Sequence, residues 1–158
     1  MQLVTRTRTS LLLLAGLLLS LIVAGCSVQY VSRYDAVTEN SITEIQRKVE
    51  GLLQHIERTA GTQAAEYDNF VTFYEELHVA AAMLNSRAQA LALNSITAEQ
   101  SGLLQEWLRS LESLHQTGIT DPVLLIPVRQ QAEQIFVAML KFELAKKRQF
   151  DRGVTIQE

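Results

Sequence analysis

The apolar residues between Asp35 and Leu144 recur at alternating spacings of three and four, which is the pattern of amphipathic α-helices. Four such stretches follow one another and predict four helices. The first covers about Ala36–Thr59, and Gly61 follows it as a stop signal. The second covers about Ala64–Leu93 and keeps a seven-residue period over its whole length, as the seam of a left-handed bundle does.

The third and fourth helices have recognisable start signals. The third is predicted to begin at Thr97-Ala98-Glu99-Gln100, a capping box in which the Thr and Gln side chains bond free backbone N–H groups, and to end at Gly118. Asp121-Pro122 fits a cap residue followed by a first-turn proline. A proline inside a helix costs about 3 kcal/mol, so the fourth helix starts either near Pro127 or after a separate short turn over Asp121 to Ile126.

The seam positions of the four helices give the expected hydrophobic core. They are Ile42, Ile45, Val49, Leu52 and Ile56, then Tyr67, Phe70, Tyr74, Leu77, Ala81, Leu84, Ala88 and Leu91, then Leu104, Trp107, Leu111 and Leu114, and finally Val128, Ala132, Ile135, Met139 and Phe142. Because short loops force successive helices to run antiparallel, the sequence predicts an all-α, antiparallel up-down four-helix bundle over residues 35–150. A helical hairpin that dimerises into the same bundle is the alternative. Residues 151–158 are expected to form a flexible tail.

Composition agrees with this fold class and excludes some functions. A chain of 158 residues is about one domain, and 7 glycines and 2 prolines are too few for the many tight turns of an all-β protein. The formal net charge is -3. Two basic residues, Arg6 and Arg8, lie near the N-terminus, and the rest of the chain has 12 basic against 17 acidic residues. This acidic balance argues against a nucleic-acid partner.

Residues 1–25 are organised as a secretory signal. Arg6 and Arg8 form a basic start, followed by an apolar run over residues 11–23 and by small residues. The run is short for a membrane-spanning helix, which needs about 20 apolar residues. The only cysteine of the chain, Cys26, comes directly after Val23-Ala24-Gly25.

This tetrapeptide resembles the lipobox of bacterial lipoproteins, and the resemblance covers about the first 26 residues. It implies cleavage between Gly25 and Cys26, a diacylglycerol on the Cys26 sulfur, and usually a further acyl chain on the new N-terminus. Two or three acyl chains anchor a protein stably, whereas a single chain binds a membrane only marginally. A buried or free cysteine behind an uncleaved anchor is the alternative.

The resemblance also has implications for location. Lipoproteins retained in the inner membrane tend to have aspartate after the lipidated cysteine, and this chain has Ser27. In a bacterium with two membranes, the resemblance therefore implies an outer-membrane lipid anchor that faces the periplasm, with Cys26 and a short tether occupying residues 26–34. In a bacterium with a single membrane, it implies an anchor in the outer leaflet of that membrane. Tyr30 and Tyr34 either rest at the membrane interface or pack on the first helix. The helical part is similar, without a specific motif, to small helical lipoproteins of proteobacteria.

Two Glu-x-x-His pairs are the one constellation that suggests metal chemistry: Glu75 with His78, and Glu112 with His115. Four-helix bundles bind pairs of iron or manganese ions with such pairs and additional glutamates. At about 100° per residue, however, both carboxylates point more than about 100° away from their seams, whereas metal ligands have to converge. Only Glu143, among the other candidates, could turn inward. We expect solvated carboxylates and partly buried histidines, with a di-metal or redox site as the alternative.

The remaining side-chain groups have structural interpretations. Tyr67, Phe70, Tyr74 and Trp107 are expected in the core, and a small-ligand pocket among the last three is the alternative. The alanine-rich part of the second helix, residues 80–92, suggests a surface for a partner helix or a second copy, although alanine is also the best helix former.

Motifs that mark common enzyme classes are missing from the sequence. It contains no glycine-rich phosphate loop, no nucleophile elbow and no zinc-spaced cysteine pair. We therefore expect a non-enzymatic binding or scaffold module at the cell envelope, without a cofactor. Its expected partners are the membrane, through lipidated Cys26, and an envelope protein or a second copy of the chain.

Overall fold

The computed structural model describes residues 31–154, with side chains described for residues 31–151. Four α-helices lie in this part of the chain: α1 (Ala36–Thr59), α2 (Val71–Ala90), α3 (Ser95–Gln116) and α4 (Leu125–Val154). Three 3-10 turns, Gln63–Ala65, Tyr67–Asn69 and Pro122–Leu124, precede α2 and α4. Over the described residues there is no strand, and the predicted all-α fold with four helices is confirmed. The predicted signal segment, Gly25 and Cys26 lie outside the described residues.

Side-chain contacts give the direction of neighbouring helices. They join Asp35 with Arg87 and Lys48 with Glu76 (α1 and α2), Tyr74 with His115 and Asn85 with Ser101 (α2 and α3), Thr97 with Glu143 and Trp107 with Phe136 (α3 and α4), and Glu39 with Lys147 and Glu57 with Arg129 (α1 and α4). For each of these four pairs of helices, the contact that lies later along one helix joins a residue that lies earlier along the other. Neighbouring helices therefore run antiparallel. One chain supplies all four helices of the bundle.

The core lies along the predicted seams. All five seam residues of α1 are at most 3% exposed, and the seam residues of α2 from Tyr74 to Ala88 are at most 2% exposed. Several large buried side chains were not among the predicted core residues: Leu53, Leu108, Leu125 and Phe136. Each of them lies one residue beside a predicted seam position or one turn before it, because a helix between two neighbours buries a wider stripe than a single seam.

The start of α1 agrees with the prediction, and Asp35 shows why. Its carboxylate accepts hydrogen bonds from the backbone N–H groups of Val37 and Thr38 at 3.3 Å, which is a helix N-cap. The same carboxylate pairs with Arg87 of α2, and the guanidinium holds the pKa of Asp35 well below its ordinary value. Tyr34, just before the cap, donates a hydrogen bond to Glu39, so this tyrosine packs on α1.

The predicted start of α2 near Ala64 is wrong, since this helix begins at Val71. The preceding residues form two 3-10 turns whose carbonyl groups have other partners. Asn69 Nδ2 donates to the Gln63 carbonyl at 2.8 Å, and a histidine of α3 bonds the Ala65 carbonyl at 2.8 Å. These contacts replace the hydrogen bonds that an α-helix over residues 63–70 would have made.

The predicted capping box of α3 is also wrong. The helix begins at Ser95, so Thr97 lies inside its first turn instead of capping it. Thr97 is 1% exposed, and its hydroxyl donates to Glu143 of α4 at 2.9 Å. A tertiary contact therefore occupies the side chain that the local pattern assigned to the helix start.

The start of α4 combines features of the two predicted alternatives. Asp121 caps the short turn Pro122–Leu124 by accepting from Val123 N–H at 2.9 Å, and α4 then begins at Leu125. Pro127 falls in the first turn of α4, where the N–H groups have no acceptor within the helix, so the proline breaks no hydrogen bond. The helix continues to Val154, beyond the predicted end of the bundle at residue 150.

The loop between α2 and α3 contains an unusual backbone conformation. Leu93 has a φ of 59°, the only positive φ of a non-glycine residue in the described part of the chain. Its side chain is 56% exposed, while its carbonyl accepts from the backbone N–H of Ser32 at 2.9 Å. This conformation costs an L-amino acid about 1–2 kcal/mol, and more than half of the leucine surface stays in water.

We expect Leu93→Gly to raise the free energy of unfolding by up to about 1 kcal/mol, because glycine adopts a positive φ without steric cost. Ala92→Gly is the matched control. It lies next to Leu93, is exposed and has no positive φ, so it should lower stability by about 0.5–1 kcal/mol. Urea unfolding of a soluble form that begins at Ser27 measures both changes. If both variants lower the stability, the backbone at Leu93 is not strained.

Candidate functional site

Polar side chains gather at the two opposite ends of the bundle. The distal cluster lies where α1 and α3 end, and consists of Tyr67, Tyr74, His78, Glu112 and His115. The base cluster lies where α1 and α3 begin, and consists of Ser32, Asn94, Thr97, Glu143 and Lys146. The distal cluster contains three of the four residues of the Glu-x-x-His pairs.

His115 is the centre of the distal cluster. It is 1% exposed and uses both ring nitrogens: Nε2 lies 2.8 Å from the Ala65 carbonyl, and Nδ1 lies 3.0 Å from the Tyr74 hydroxyl. A carbonyl can only accept, so Nε2 carries the proton and Nδ1 accepts from Tyr74. Burial lowers the pKa of His115 below its ordinary value of 6.5. This histidine is therefore a neutral part of the core.

Glu112 lies between α2 and α3 with its side chain 22% exposed, so the expectation that it points to water is wrong. One carboxylate oxygen accepts from His78 Nε2 and the other from the Tyr67 hydroxyl, both at 2.7 Å. Burial alone would raise the pKa of Glu112, but the hydrogen bonds from His78 and Tyr67 take it below its ordinary value. Both oxygens thus have partners within the protein.

The fourth residue of the pairs, Glu75, is exposed, as its angle on α2 predicts. Among the described residues, no three His, Cys, Asp or Glu side chains form a group that could hold a metal ion. The two nitrogens of His115 already have partners, so it has no lone pair left for a metal.

The aromatic side chains of the predicted ligand pocket fill space in the core instead. Phe70, Tyr67 and Tyr74 surround His115 with ring centroids 5.3–5.9 Å away. Trp107, which is 8% exposed, packs against Phe136 of α4. These four aromatic residues therefore belong to the core, as the seam pattern indicates.

The base cluster was not predicted as a site. Lys146 is 4% exposed, and its ammonium group donates to Asn94 Oδ1 at 2.7 Å, Thr97 Oγ1 at 2.8 Å and Glu143 Oε1 at 2.7 Å. Each of the three N–H donors of the ammonium group thus has its own acceptor. The only sequence signal was the spacing of three residues between Glu143 and Lys146. The prediction that Glu143 could turn inward is confirmed by its 0% exposure.

Asn94 connects the base cluster to the segment that leads to the N-terminus. Its side-chain oxygen accepts from the Ser32 hydroxyl at 2.7 Å, and its amide donates to the Ala88 carbonyl at 3.1 Å. Together with the Ser32 backbone bond to Leu93, these contacts fix the segment from Ser32 onward to the loop between α2 and α3. The second carboxylate oxygen of Glu143 is buried without a hydrogen-bond partner.

The alanine-rich stretch of α2 divides between core and surface. Ala81 and Ala88 are buried, while Ala82 and Ala90 are exposed. Two large apolar residues share this outer face, Val79 at 58% and Met83 at 68% exposure. The outer face of α2 therefore has a small apolar patch, about one turn long, which is followed by the exposed polar residues Ser86 and Arg87.

No protein-family model, no curated protein and no solved structure matches this chain in sequence or fold comparisons.

Protonation of His115 should destabilise the bundle, because its lowered pKa means that the unfolded chain binds the proton more readily. The stability that neutral His115 contributes is complete above about pH 6.5 and is lost as the pH falls below that value. We expect the unfolding free energy to fall as the pH is lowered below about 6.5. His115→Gln should remove this part of the pH dependence, and His55→Gln should keep it. Equal pH dependence in all three proteins would contradict the assignment.

Removing the ammonium group of Lys146 should leave Glu143 as an unpaired buried charge. We expect Lys146→Met to cost about 3–5 kcal/mol, measured by urea unfolding. Lys147→Met is the control, because this neighbouring lysine is 45% exposed and lies 3.9 Å from Glu39; its cost should stay within about 1 kcal/mol. Adding Glu143→Leu to Lys146→Met should restore much of the lost stability. Similar losses for the two lysine variants would refute the buried pair.

Proposed function

We propose that this protein is a lipoprotein of the cell envelope whose four-helix bundle is a non-enzymatic binding or scaffold module. In this proposal Cys26 is the lipidated N-terminus of the mature protein, and the bundle is held at the outer membrane on its periplasmic side. The ordered series of basic residues, apolar run, small residues and Cys26 supports the anchor. In the described part of the chain, no helix is long and apolar enough to cross a membrane.

The observation that favours a membrane-proximal module is the attachment of Ser32 to the loop between α2 and α3. Its backbone and side chain both bond this loop, at 2.9 and 2.7 Å. Only residues 27–31 separate it from Cys26, and at about 3.3 Å per residue this stretch reaches about 20 Å. A lipid on Cys26 would therefore keep the base of the bundle close to the bilayer.

A binding role is supported by the partners that most polar groups of the two clusters have within the protein. In the distal cluster the nitrogens of His115 and both oxygens of Glu112 have partners within the protein, as do all three donors of Lys146 in the base cluster. Such groups stabilise a fold and are not free to act on a substrate. The apolar outer face of α2, with Val79 and Met83, is the surface that we assign to an envelope protein or a second copy.

The anchor is tested by growing cells that express the protein in radiolabelled palmitate. We expect the label to enter the wild-type chain, and Cys26→Ser to remove both the label and the membrane association. Ser27→Ala is the matched control, since it leaves Cys26 in place and should keep the label. Separation of inner and outer membranes then gives the location.

A wild-type chain without label, or one whose membrane association is indifferent to Cys26→Ser, would overturn the anchor. The module role has its own measurement, which is crosslinking in living cells from a photoreactive residue at Met83. A crosslinked envelope protein or a crosslinked second copy supports the role of this face, and a chain that crosslinks to neither contradicts it.

A further inference from the structure

The loop between α2 and α3 combines two costly features in one residue. Leu93 has a positive φ, which glycine or asparagine adopts more easily, and its side chain is 56% exposed. Neither feature stabilises the bundle in water. A strained and exposed apolar residue is a reason to look for a contact outside the folded chain.

Other apolar side chains are exposed around the same end of the bundle. Ile96 lies in the first turn of α3 and is 44% exposed, and Val37 lies in the first turn of α1 and is 50% exposed. On α4, Phe150 continues the stripe of Met139, Glu143 and Lys146 at spacings of three and four. The earlier members of this stripe are buried, but Phe150 is 45% exposed.

The path of the chain connects this end to the membrane anchor. Ser32 N–H bonds the carbonyl of Leu93 itself, so the segment that leads to Cys26 departs from the strained residue. The intervening residues reach about 20 Å, whereas α1 with its 24 residues is about 36 Å long. Among the exposed apolar groups of the bundle, those at the base are therefore the ones that a lipidated Cys26 keeps nearest to the bilayer.

We propose that this base surface, made of Val37, Leu93, Ile96 and Phe150, rests in the interfacial region of the bilayer that holds the Cys26 lipid, with Leu93 inserted at the tip of its loop. The proposal rests on the proposed lipid anchor and adds a fixed orientation of the bundle to it. Apolar burial in the interface compensates the exposure of these side chains. It also leaves the outer face of α2 and the distal end accessible to a partner.

Fluorescent labelling of the lipidated full-length protein tests the orientation. Cys26 is the only cysteine and its sulfur is acylated in the proposal, so an introduced cysteine is the single thiol for labelling. An environment-sensitive fluorophore is placed through Leu93→Cys, with Ile96→Cys as a second position in case the first alters the loop. The matched controls are Val123→Cys at the distal end and Met83→Cys on the outer face of α2, which are similarly exposed.

The labelled proteins are placed in vesicles of phosphatidylethanolamine and phosphatidylglycerol, with and without brominated acyl chains. At positions 93 and 96 we expect emission at shorter wavelength and a large loss of intensity with the brominated lipid. At positions 83 and 123 we expect neither change. Labels at all four positions that behave alike, or quenching at position 83 but not at 93 and 96, would overturn the orientation.

Palmitate incorporation, measured on the same preparations, separates the two proposals. If palmitate is present and the labels at 93 and 96 stay in water, the orientation is wrong and the anchor stands. If palmitate is absent and the protein does not bind the vesicles, the anchor fails and the orientation with it. Leu93→Asn should keep palmitate incorporation unchanged while reducing quenching at position 96.

Discussion

The ammonium group of Lys146 connects α4 to α3 and to the loop between α2 and α3. A buried charge is tolerated only where its donors are bonded, and here Asn94, Thr97 and Glu143 accept all three at 2.7–2.8 Å. The acceptors then have fixed positions themselves. Thr97 cannot serve as a helix cap, and Asn94 is placed to accept from Ser32. The conformation of the base of the bundle follows from satisfying this one group.

The two ends of the bundle solve the problem of buried polar groups differently. At the base a charge pair is enclosed, whereas at the distal end His115 is kept neutral and joins the turn at Ala65 to Tyr74. The Ala65 carbonyl bonds His115 of α3, and the chain around it forms 3-10 turns in place of an α-helix. The same residue types that suggested a metal site are thus used to close the end of a helical bundle.

Because Ser32 is bonded to the base of the bundle, the proposed anchor would restrict the orientation of the bundle on the membrane. A lipidated protein on a long flexible tether samples many orientations, but here the segment is bonded to the bundle from Ser32 onward. The short remaining tether and the exposed Leu93, Ile96 and Phe150 favour one orientation, with the base toward lipid. In the proposed function, this restriction would let a partner meet the outer face of α2 in a defined geometry at lower entropic cost.

The sequence by itself determined the four helices, the bounds of α1 and most of the core, because apolar periodicity and an Asp cap such as Asp35 act within a few residues. It also suggested Cys26 as the site of a lipid anchor. Tertiary structure decided the start of α2, the role of Thr97 and the inward position of Glu112. These features depend on hydrogen-bond partners that lie 34 to 50 residues away in the chain. A local sequence pattern does not specify which polar groups two packed helices bring within bonding distance.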